Sequence, residues 1–288
     1  MNEKQIILVP TDFSPIADNA LDHAIHYAQK MHAKLLLLHV KHPMIIPPSD
    51  LPYPVKEEII TGYLELIPKR LEELREYVES KGVECEVAKE LGLLLDEIKD
   101  YCEKRNPILL ITGTKNHHHL AKKIFGSNSI DMAIELKTPV LIIPELCKYK
   151  KPSKILYATE YNEFDIHHID YLKTWCNDDT QLYVAHVNTD ATEYYVKEEQ
   201  KIWFEQLLEN KTGNKTYFFV TIHNQDVTEG LLSYIKKINI DLLCMSTERK
   251  SFWQTLFQKR HTVDVASKIE IPLLIFDNTW KISLPQSQ

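Results

Sequence analysis

A polar loop near the middle of the chain carries residue types that suit the binding of an anion. It begins at Gly113, after an apolar run, and ends at Gly126 and Ser127, before a helix predicted over Ser129–Leu136. Glycine lets backbone N–H groups approach a phosphate closely, and the first turn of a helix has unpaired N–H donors that favour anions. The loop is therefore a candidate phosphate-binding segment. The simpler alternative is an ordinary loop that enters a helix through a serine cap.

Glycine is otherwise scarce, and its distribution excludes two familiar nucleotide-binding loops. The chain has 7 glycines in 288 residues, at positions 62, 82, 92, 113, 126, 213 and 230. None of them are spaced as in the G-x-G-x-x-G turn of dinucleotide-binding folds or in the G-x-x-x-x-G-K-[ST] loop of P-loop proteins. A nucleotide site in this chain must therefore use another kind of loop.

Composition narrows the class of protein further. The 34 basic and 41 acidic residues leave a formal net charge of −7, which disfavours general nucleic-acid binding. The 5 cysteines are scattered and never in C-x-x-C spacing, which predicts a reducing compartment and neither a disulfide framework nor a cysteine zinc site. No apolar run approaches the roughly 20 residues that span a bilayer, and the first residues lack a signal-peptide pattern. We expect a soluble, cytoplasmic protein without a membrane or nucleic-acid partner.

The first half of the chain alternates buried apolar runs with amphipathic stretches. The predicted strands are Ile6–Val9, Leu35–Val40, Val83–Val87, Pro107–Gly113 and Pro139–Pro144. The first predicted helix begins after Ser14, and the others cover Glu57–Ser80, Leu93–Lys104 and Ser129–Leu136. An irregular, proline-rich segment over 43–54 separates the second strand from the second helix. This order predicts βαβ units and a parallel sheet with helices on both faces. Asp12, Val40 and the 113–129 loop should then lie on one rim, at the carboxyl ends of the strands.

The second half repeats the first. Ile155 to Glu160 matches Ile7 to Asp12 at an offset of 148 residues, and Asp241 to Ser246 matches Ile108 to Gly113 at an offset of 133. We therefore predict two copies of one α/β unit, over residues 1–146 and 153–280.

The motifs at the predicted strand ends resemble those of the universal stress protein family. The first strand leads into Pro-Thr-Asp-Phe-Ser at 10–14, the second ends in His39 and Val40, and the fourth ends in Gly113 before the Gly126-Ser127 loop. The resemblance covers nearly the whole chain as two tandem copies. It implies two five-stranded parallel sheets of strand order 3-2-1-4-5 that form an internal pseudo-dimer, since family members often pair through their fifth strands.

One branch of that family binds ATP through a G-x2-G-x9-G-[ST] loop, and the first copy departs from this pattern at one position. Asn116 replaces the second glycine, a substitution that keeps the loop feasible because Asn tolerates positive φ. The resemblance implies that Asp12 receives the ribose or a metal and that the backbone of Val40 meets the adenine edge. The implied site for ATP, with or without Mg²⁺, comprises Pro10, Thr11, Asp12, Val40, Gly113, Asn116, Gly126, Ser127, Asn128 and Ser129.

The second copy lacks the loop. The aligned positions hold Ser246, Arg249, Lys259 and Arg260, and Glu160 stands in place of Asp12. Side chains would therefore occupy the space where backbone should meet phosphate. We expect this copy to be a structural partner with a solvated basic loop, and an anion or an acidic partner surface is the alternative ligand of that loop.

The function that follows is a stress-responsive, nucleotide-binding regulator that holds ATP in the N-terminal copy alone. We assign no catalytic residue and no metal site, and we expect His39 and His186, at equivalent strand ends, to serve the fold. One alternative is a scaffold that recognises a protein or small ligand through the 43–54 or 246–262 segment. A slow ATPase is the other. The protein partner is unknown, and whether two chains form a homodimer is open.

Overall fold

The computed structural model describes residues 4–42, 52–115, 127–189, 194–212, 217–247 and 269–280. Three segments that the sequence singled out fall largely outside these ranges: the proline-rich stretch, the candidate phosphate loop with Asn116 and Gly126, and the basic loop of the second copy.

The described residues of the first half form five strands and four helices. The strands are β1 (Ile6–Pro10), β2 (Lys34–Lys41), β3 (Cys85–Leu91), β4 (Leu109–Thr114) and β5 (Val140–Pro144). The helices are α1 (Pro15–Met31), α2 (Tyr53–Ser80), α3 (Leu94–Arg105) and α4 (Ser127–Glu135).

The second half repeats this order. Its strands are β6 (Lys154–Ala158), β7 (Gln181–Asn188), β8 (Tyr217–His223), β9 (Leu242–Thr247) and β10 (Leu273–Asp277). The described helices are α5 (Glu163–Leu172), α6 (Tyr194–Thr212) and α7 (Val227–Ile238), with a short 3-10 helix at Lys173–Trp175.

The ten strands that the structure describes form one sheet, in the order β3-β2-β1-β4-β5-β10-β9-β6-β7-β8. The predicted order 3-2-1-4-5 is confirmed in each half, and within each half the pairings are parallel. The two halves meet through their fifth strands, where β5 and β10 pair antiparallel with Leu141 opposite Leu274. The internal pseudo-dimer is therefore a continuous sheet.

The core lies on both faces of this sheet and runs across both halves. One buried cluster joins Ile7 and Leu35 of the first half to Tyr157 and Phe276 of the second, beneath α1, α2, α5 and α6. The other lies beneath α3, α4 and α7. The inner strands β1, β4 and β5 are buried along nearly their whole length because parallel strands of this kind are covered on both sides.

Most element boundaries agree with the sequence prediction, and the differences have local causes. α2 begins at Tyr53, earlier than the expected Glu57, because Pro54 fits the first turn of a helix, where its missing N–H is not needed. β3 extends through charged residues to Leu91, since it is an end strand of the sheet. Gly82 follows α2 with φ 77°, as expected for a helix C-cap. Among the described residues, no helix combines the length and apolar character needed to cross a membrane.

Candidate functional site at the carboxyl ends of β1, β2 and β4

The carboxyl ends of β1, β2 and β4 meet at one rim of the first half. β1 pairs with β2 on one side and with β4 on the other, so the chain leaves the sheet in opposite directions on the two sides of β1. Such a change of direction opens a crevice at the strand ends, which is where α/β sheets bind ligands. Of the predicted site residues, Pro10, Thr11, Asp12, Val40 and Gly113 all lie at this rim.

The turn from β1 into α1 is closed by its own side chains. The Thr11 hydroxyl accepts from the Phe13 N–H at 3.1 Å, and Asp12 Oδ1 accepts from the Ser14 N–H at 3.0 Å. Ser14 then caps α1 by accepting from the Ala17 N–H at 3.3 Å. These bonds hold the Asp12 carboxylate exposed at the rim, and among the described residues none donates to its other oxygen, Oδ2.

Phe13 adopts φ 61°, a left-handed conformation that is costly for an aromatic residue. The Phe13 ring stacks on the His39 ring, with their centroids 4.7 Å apart. The guanidinium of Arg70, from α2, lies over the same Phe13 ring at 4.7 Å from its centroid. This packing offsets the backbone strain at Phe13. It also brings α2 over the rim beside Asp12.

His39 ties the ends of two strands together. Its buried ring donates from Nδ1 to the Thr11 carbonyl at 2.8 Å. Burial lowers the pKa of His39, although the bond to Thr11 and the nearby Asp12 carboxylate oppose that shift. The expectation that His39 serves the fold is consistent with this contact.

Val40 lies in β2 beyond the end of β1. Backbone groups of a strand alternate between its two neighbours: the Leu38 carbonyl accepts from Thr11 on the β1 side, and the Lys41 carbonyl accepts from Gly92 on the β3 side. The N–H and C=O of Val40 therefore point to the β1 side. Since pairing with β1 stops at Leu38, both groups extend past β1 toward the rim.

Gly113 is required by helix packing at the end of β4. A Cβ atom built there would lie 2.5 Å from Ile16 Cγ2 and 2.7 Å from the Ile16 carbonyl oxygen, so any side chain would collide with the first turn of α1. This reason for a glycine is independent of any phosphate, and the sequence alone did not suggest it.

The N-terminus of α4 faces the same rim as β4. Ser127 is its first residue, Asn128 is exposed, and the buried Ser129 hydroxyl donates to the Gly113 carbonyl at 2.8 Å. Ser129 thus joins the start of α4 to the end of β4.

In the second half, the turn from β6 into α5 has contacts equivalent to those of the turn from β1 into α1. Tyr161 has φ 61° and donates its N–H to the Thr159 hydroxyl at 2.8 Å. His186 donates from Nδ1 to the Thr159 carbonyl at 3.0 Å, as His39 does to Thr11. Asn162 caps α5 in place of Ser14. These features therefore belong to the fold, and they do not distinguish a binding copy from a non-binding one.

The two halves differ where β4 and β9 end. Ser246 stands at the position of Gly113, and its hydroxyl donates to Asp165 Oδ1 at 2.8 Å. Asp165 is 1% exposed, and it also accepts from the hydroxyls of Tyr157 and Thr159, each at 2.7 Å. His168, fully buried, lies 2.9 Å from the Tyr157 hydroxyl.

Sequence reasoning missed this buried polar cluster of Tyr157, Thr159, Asp165, His168 and Ser246. The available signal was that Asp165 and His168 replace Ala17 and Ala20 at the repeat offset, on the helix face that packs against the sheet. The cluster fills the space beneath the rim of the second half with paired side chains.

Comparison with known proteins agrees with the fold. Residues 4–144 match the model of the Universal stress protein family. Universal stress protein YxiE of Bacillus subtilis (strain 168) is 29% identical over 143 residues, which cover 48% of this chain and 97% of that protein. Universal stress protein MJ0531 of Methanocaldococcus jannaschii is 28% identical over 149 residues, 51% of this chain and 83% of that protein.

The tandem arrangement also has a solved counterpart. A universal stress protein from Archaeoglobus fulgidus DSM 4304 superimposes with a TM-score of 0.73 at 17% identity, over 96% of this chain and 99% of that one, which is a likeness of fold. The motifs at the rim, the strand order of each half and the match over residues 4–144 lead to one conclusion: the chain belongs to the universal stress protein family.

Proposed function

We propose that this protein is a stress-responsive regulator that binds ATP in its N-terminal copy alone. The observation that carries the proposal is the position of Val40: its N–H and C=O extend past the end of β1, at the rim that also holds the exposed Asp12 carboxylate and the start of α4. An adjacent donor and acceptor on one backbone edge suit the polar edge of an adenine ring.

The residues of the rim supply a matching group for each part of the nucleotide. Asp12 Oδ2 would accept from the ribose hydroxyls or bind Mg²⁺, the cation that would offset phosphate charge. The first N–H groups of α4, from Ser127 and Asn128 onward, would favour the phosphates. Lys115, exposed directly after β4, adds positive charge on that side. Ser129 supports this wall from behind through its bond to Gly113.

The second half offers a poorer site at the equivalent rim. The carboxylate of Glu160, one methylene longer than Asp12, lies 3.6 Å from His186 Nδ1. Ser246 replaces the glycine at the end of β9 and is bonded to Asp165. We infer that the second copy supports the first through the shared sheet and core and binds no nucleotide.

The residues of the rim suit ATP binding better than rapid ATP hydrolysis. Among the described rim residues, His39 is buried, and its Nδ1–H is used by the Thr11 carbonyl. A general base must reach the proton that it removes, and we assign the remaining oxygen of Asp12 to the ribose or Mg²⁺ and not to an attacking water. Phosphate release in the presence of Mg²⁺ should therefore be slow, and a rapid rate would favour an enzyme.

Calorimetric titration with ATP tests the proposal directly. We expect one ATP per chain for the wild type and a large loss of affinity for Asp12→Ala and Gly126→Arg. The matched control is Glu160→Ala in the second copy, which should bind as the wild type does. Absence of binding at millimolar ATP would contradict the proposal, and two ATP per chain would contradict the asymmetry. A ligand other than a nucleotide that copurifies with the wild type would favour the scaffold alternative.

A further inference from the structure

The ten-stranded sheet ends in β3 on one side and β8 on the other, and each of these strands is paired on one side among the described residues. An end strand presents backbone N–H and C=O groups that can pair with another chain. The molecule already uses this mode once, since β5 and β10 join its two halves by antiparallel pairing. The two end strands differ sharply in their suitability for a second such junction.

The outward groups of β8 follow from its pairing with β7. The Asn224 N–H bonds to the Asn188 carbonyl of β7, so every second residue counted back from Asn224 faces β7. The alternate residues present their N–H and C=O at the edge of the sheet. They are Tyr217, Phe219, Thr221 and His223.

The edge strand β8 carries no Lys, Arg, Asp or Glu over Tyr217–His223. Natural edge strands are usually protected by charged residues, and a long uncharged edge favours pairing with another strand. Phe218 is 39% exposed and stacks on Tyr183, with ring centroids 5.0 Å apart. An aromatic side chain is thus left partly in solvent beside an edge that pairs with no second strand in the described part of the chain.

The opposite edge is protected. β3 contains Glu86, Lys89 and Glu90, and Glu86 forms ion pairs with Lys34 and Arg105. If β3 paired antiparallel with a second copy about Ala88, Glu86 would lie directly opposite Glu90 of that copy. Like charges directly opposite each other are destabilising. The charged groups that pair with Glu86 would also be removed from water, which costs free energy.

We propose that β8 pairs antiparallel with β8 of a second copy of this chain, about a twofold axis at Val220. In this register Phe219 pairs through hydrogen bonds with Thr221 of the second copy. The backbone groups of both residues face outward, so the register provides partners for them in both copies. Phe218 then lies opposite Ile222 of the second copy, which covers its exposed ring.

The proposal predicts a closed dimer with a twenty-stranded sheet. A twofold pairing uses the same edge of both chains and leaves the charged β3 edges at the two outer ends. Pairing of β8 with β3 would instead produce an open series of chains, and the charges of β3 disfavour it. The inference does not depend on nucleotide binding, because β8 belongs to the half that we assign no ligand.

Analytical sedimentation or light scattering of the purified full chain measures its mass in solution and therefore its oligomeric state. We expect twice the chain mass of 33.7 kDa for the wild type. Val220→Lys brings two cations together at the axis and should raise the dimer dissociation constant at least about tenfold. Ala88→Lys, the matched change at the centre of β3, should leave the dimer intact. Circular dichroism must show the wild-type spectrum for both variants.

A disulfide tests the register itself. Val220 faces β7, so across the axis it forms a non-hydrogen-bonded pair with Cα atoms about 4.5 Å apart, within the range that a disulfide spans. Val220→Cys should form a covalent dimer on mild oxidation, whereas Ala88→Cys and the wild type with its 5 native cysteines should not.

Three results would overturn the proposal. They are a monomeric wild type at every concentration, a dimer that Val220→Lys leaves unchanged, and a mass that rises continuously with concentration. The Val220→Cys variant keeps the test decisive if Val220→Lys fails to fold.

Discussion

Gly113 lies against the backbone of Ile16, so close that a Cβ atom at position 113 would be 2.7 Å from the Ile16 carbonyl oxygen. This contact fixes the distance between the end of β4 and the first turn of α1, on the rim where we propose that ATP binds. In the second half the same position holds Ser246, whose hydroxyl reaches the Asp165 carboxylate. Two differences, Ser246 in place of Gly113 and Asp165 in place of Ala17, therefore change how helix and strand meet beneath each rim.

Replacing Gly113 by alanine should destabilise the protein. Because the colliding atoms include main-chain atoms of Ile16, they yield less readily than the end of a flexible side chain, and we expect a loss of about 1–3 kcal/mol in the free energy of unfolding. Urea denaturation measures it. Gly82→Asn is the control, since nothing lies within 4 Å of a Cβ at Gly82 and Asn tolerates its positive φ. Equal stability of Gly113→Ala and the wild type would contradict this prediction, because it would show that α1 can move away from β4 without cost.

Replacing Ser129 by alanine separates support of the rim from direct contact with a ligand. The buried hydroxyl donates to the Gly113 carbonyl, so its removal should lower the free energy of unfolding by about 1 kcal/mol. ATP affinity should fall less than it does for Asp12→Ala. Asn128→Ala, at the exposed neighbouring position, serves for comparison. A loss of affinity as large as that of Asp12→Ala, without a change in stability, would make Ser129 a direct ligand.

Replacing Asp165 by alanine should be among the most destabilising changes in the second half. It removes the acceptor of three hydroxyls, those of Tyr157, Thr159 and Ser246, and we expect a loss of roughly 3 kcal/mol or more. Adding Tyr157→Phe should recover part of the loss, because one orphaned hydroxyl disappears. On the same helix, Asp170→Ala disrupts a partly exposed ion pair with Lys173 and should cost about 1 kcal/mol, well below the loss for Asp165→Ala. Strict additivity of Asp165→Ala and Tyr157→Phe would argue against a coupled cluster.

The stability of the protein should depend on pH through His39. Burial lowers its pKa in the folded state below the ordinary value of 6.5, so the unfolded chain binds the proton more readily. The contribution of His39 is therefore fully present above pH 6.5 and is lost as pH falls through the folded-state pKa. His39→Asn keeps an N–H donor for the Thr11 carbonyl and should flatten the fall in unfolding free energy below pH 6.5. His32→Gln, at an exposed position, should leave that slope unchanged.

The repeated halves and their parallel strands could be read from the sequence because both signals are local. Ile6–Val9 and Leu35–Val40 are largely apolar runs, as expected for strands that are covered on both faces. The runs that begin at Ile155 and Leu182 repeat them in the second half. The turn at Asp12 was equally accessible, since Thr, Asp and Ser accept hydrogen bonds from backbone N–H groups two or three positions later in the chain.

Tertiary structure alone decided which residues meet beneath each rim. Asp165 and Ser246 are separated by 81 positions, and no period in the sequence indicates that a helix carboxylate will accept from a residue at the end of β9. The need for glycine at position 113 arises in the same way, from the approach of α1 to β4. The sequence determines which residues are apolar, which strands they form and that the two halves are copies. The distances between packed elements depend on side chains far apart in the chain, and only the folded molecule brings those together.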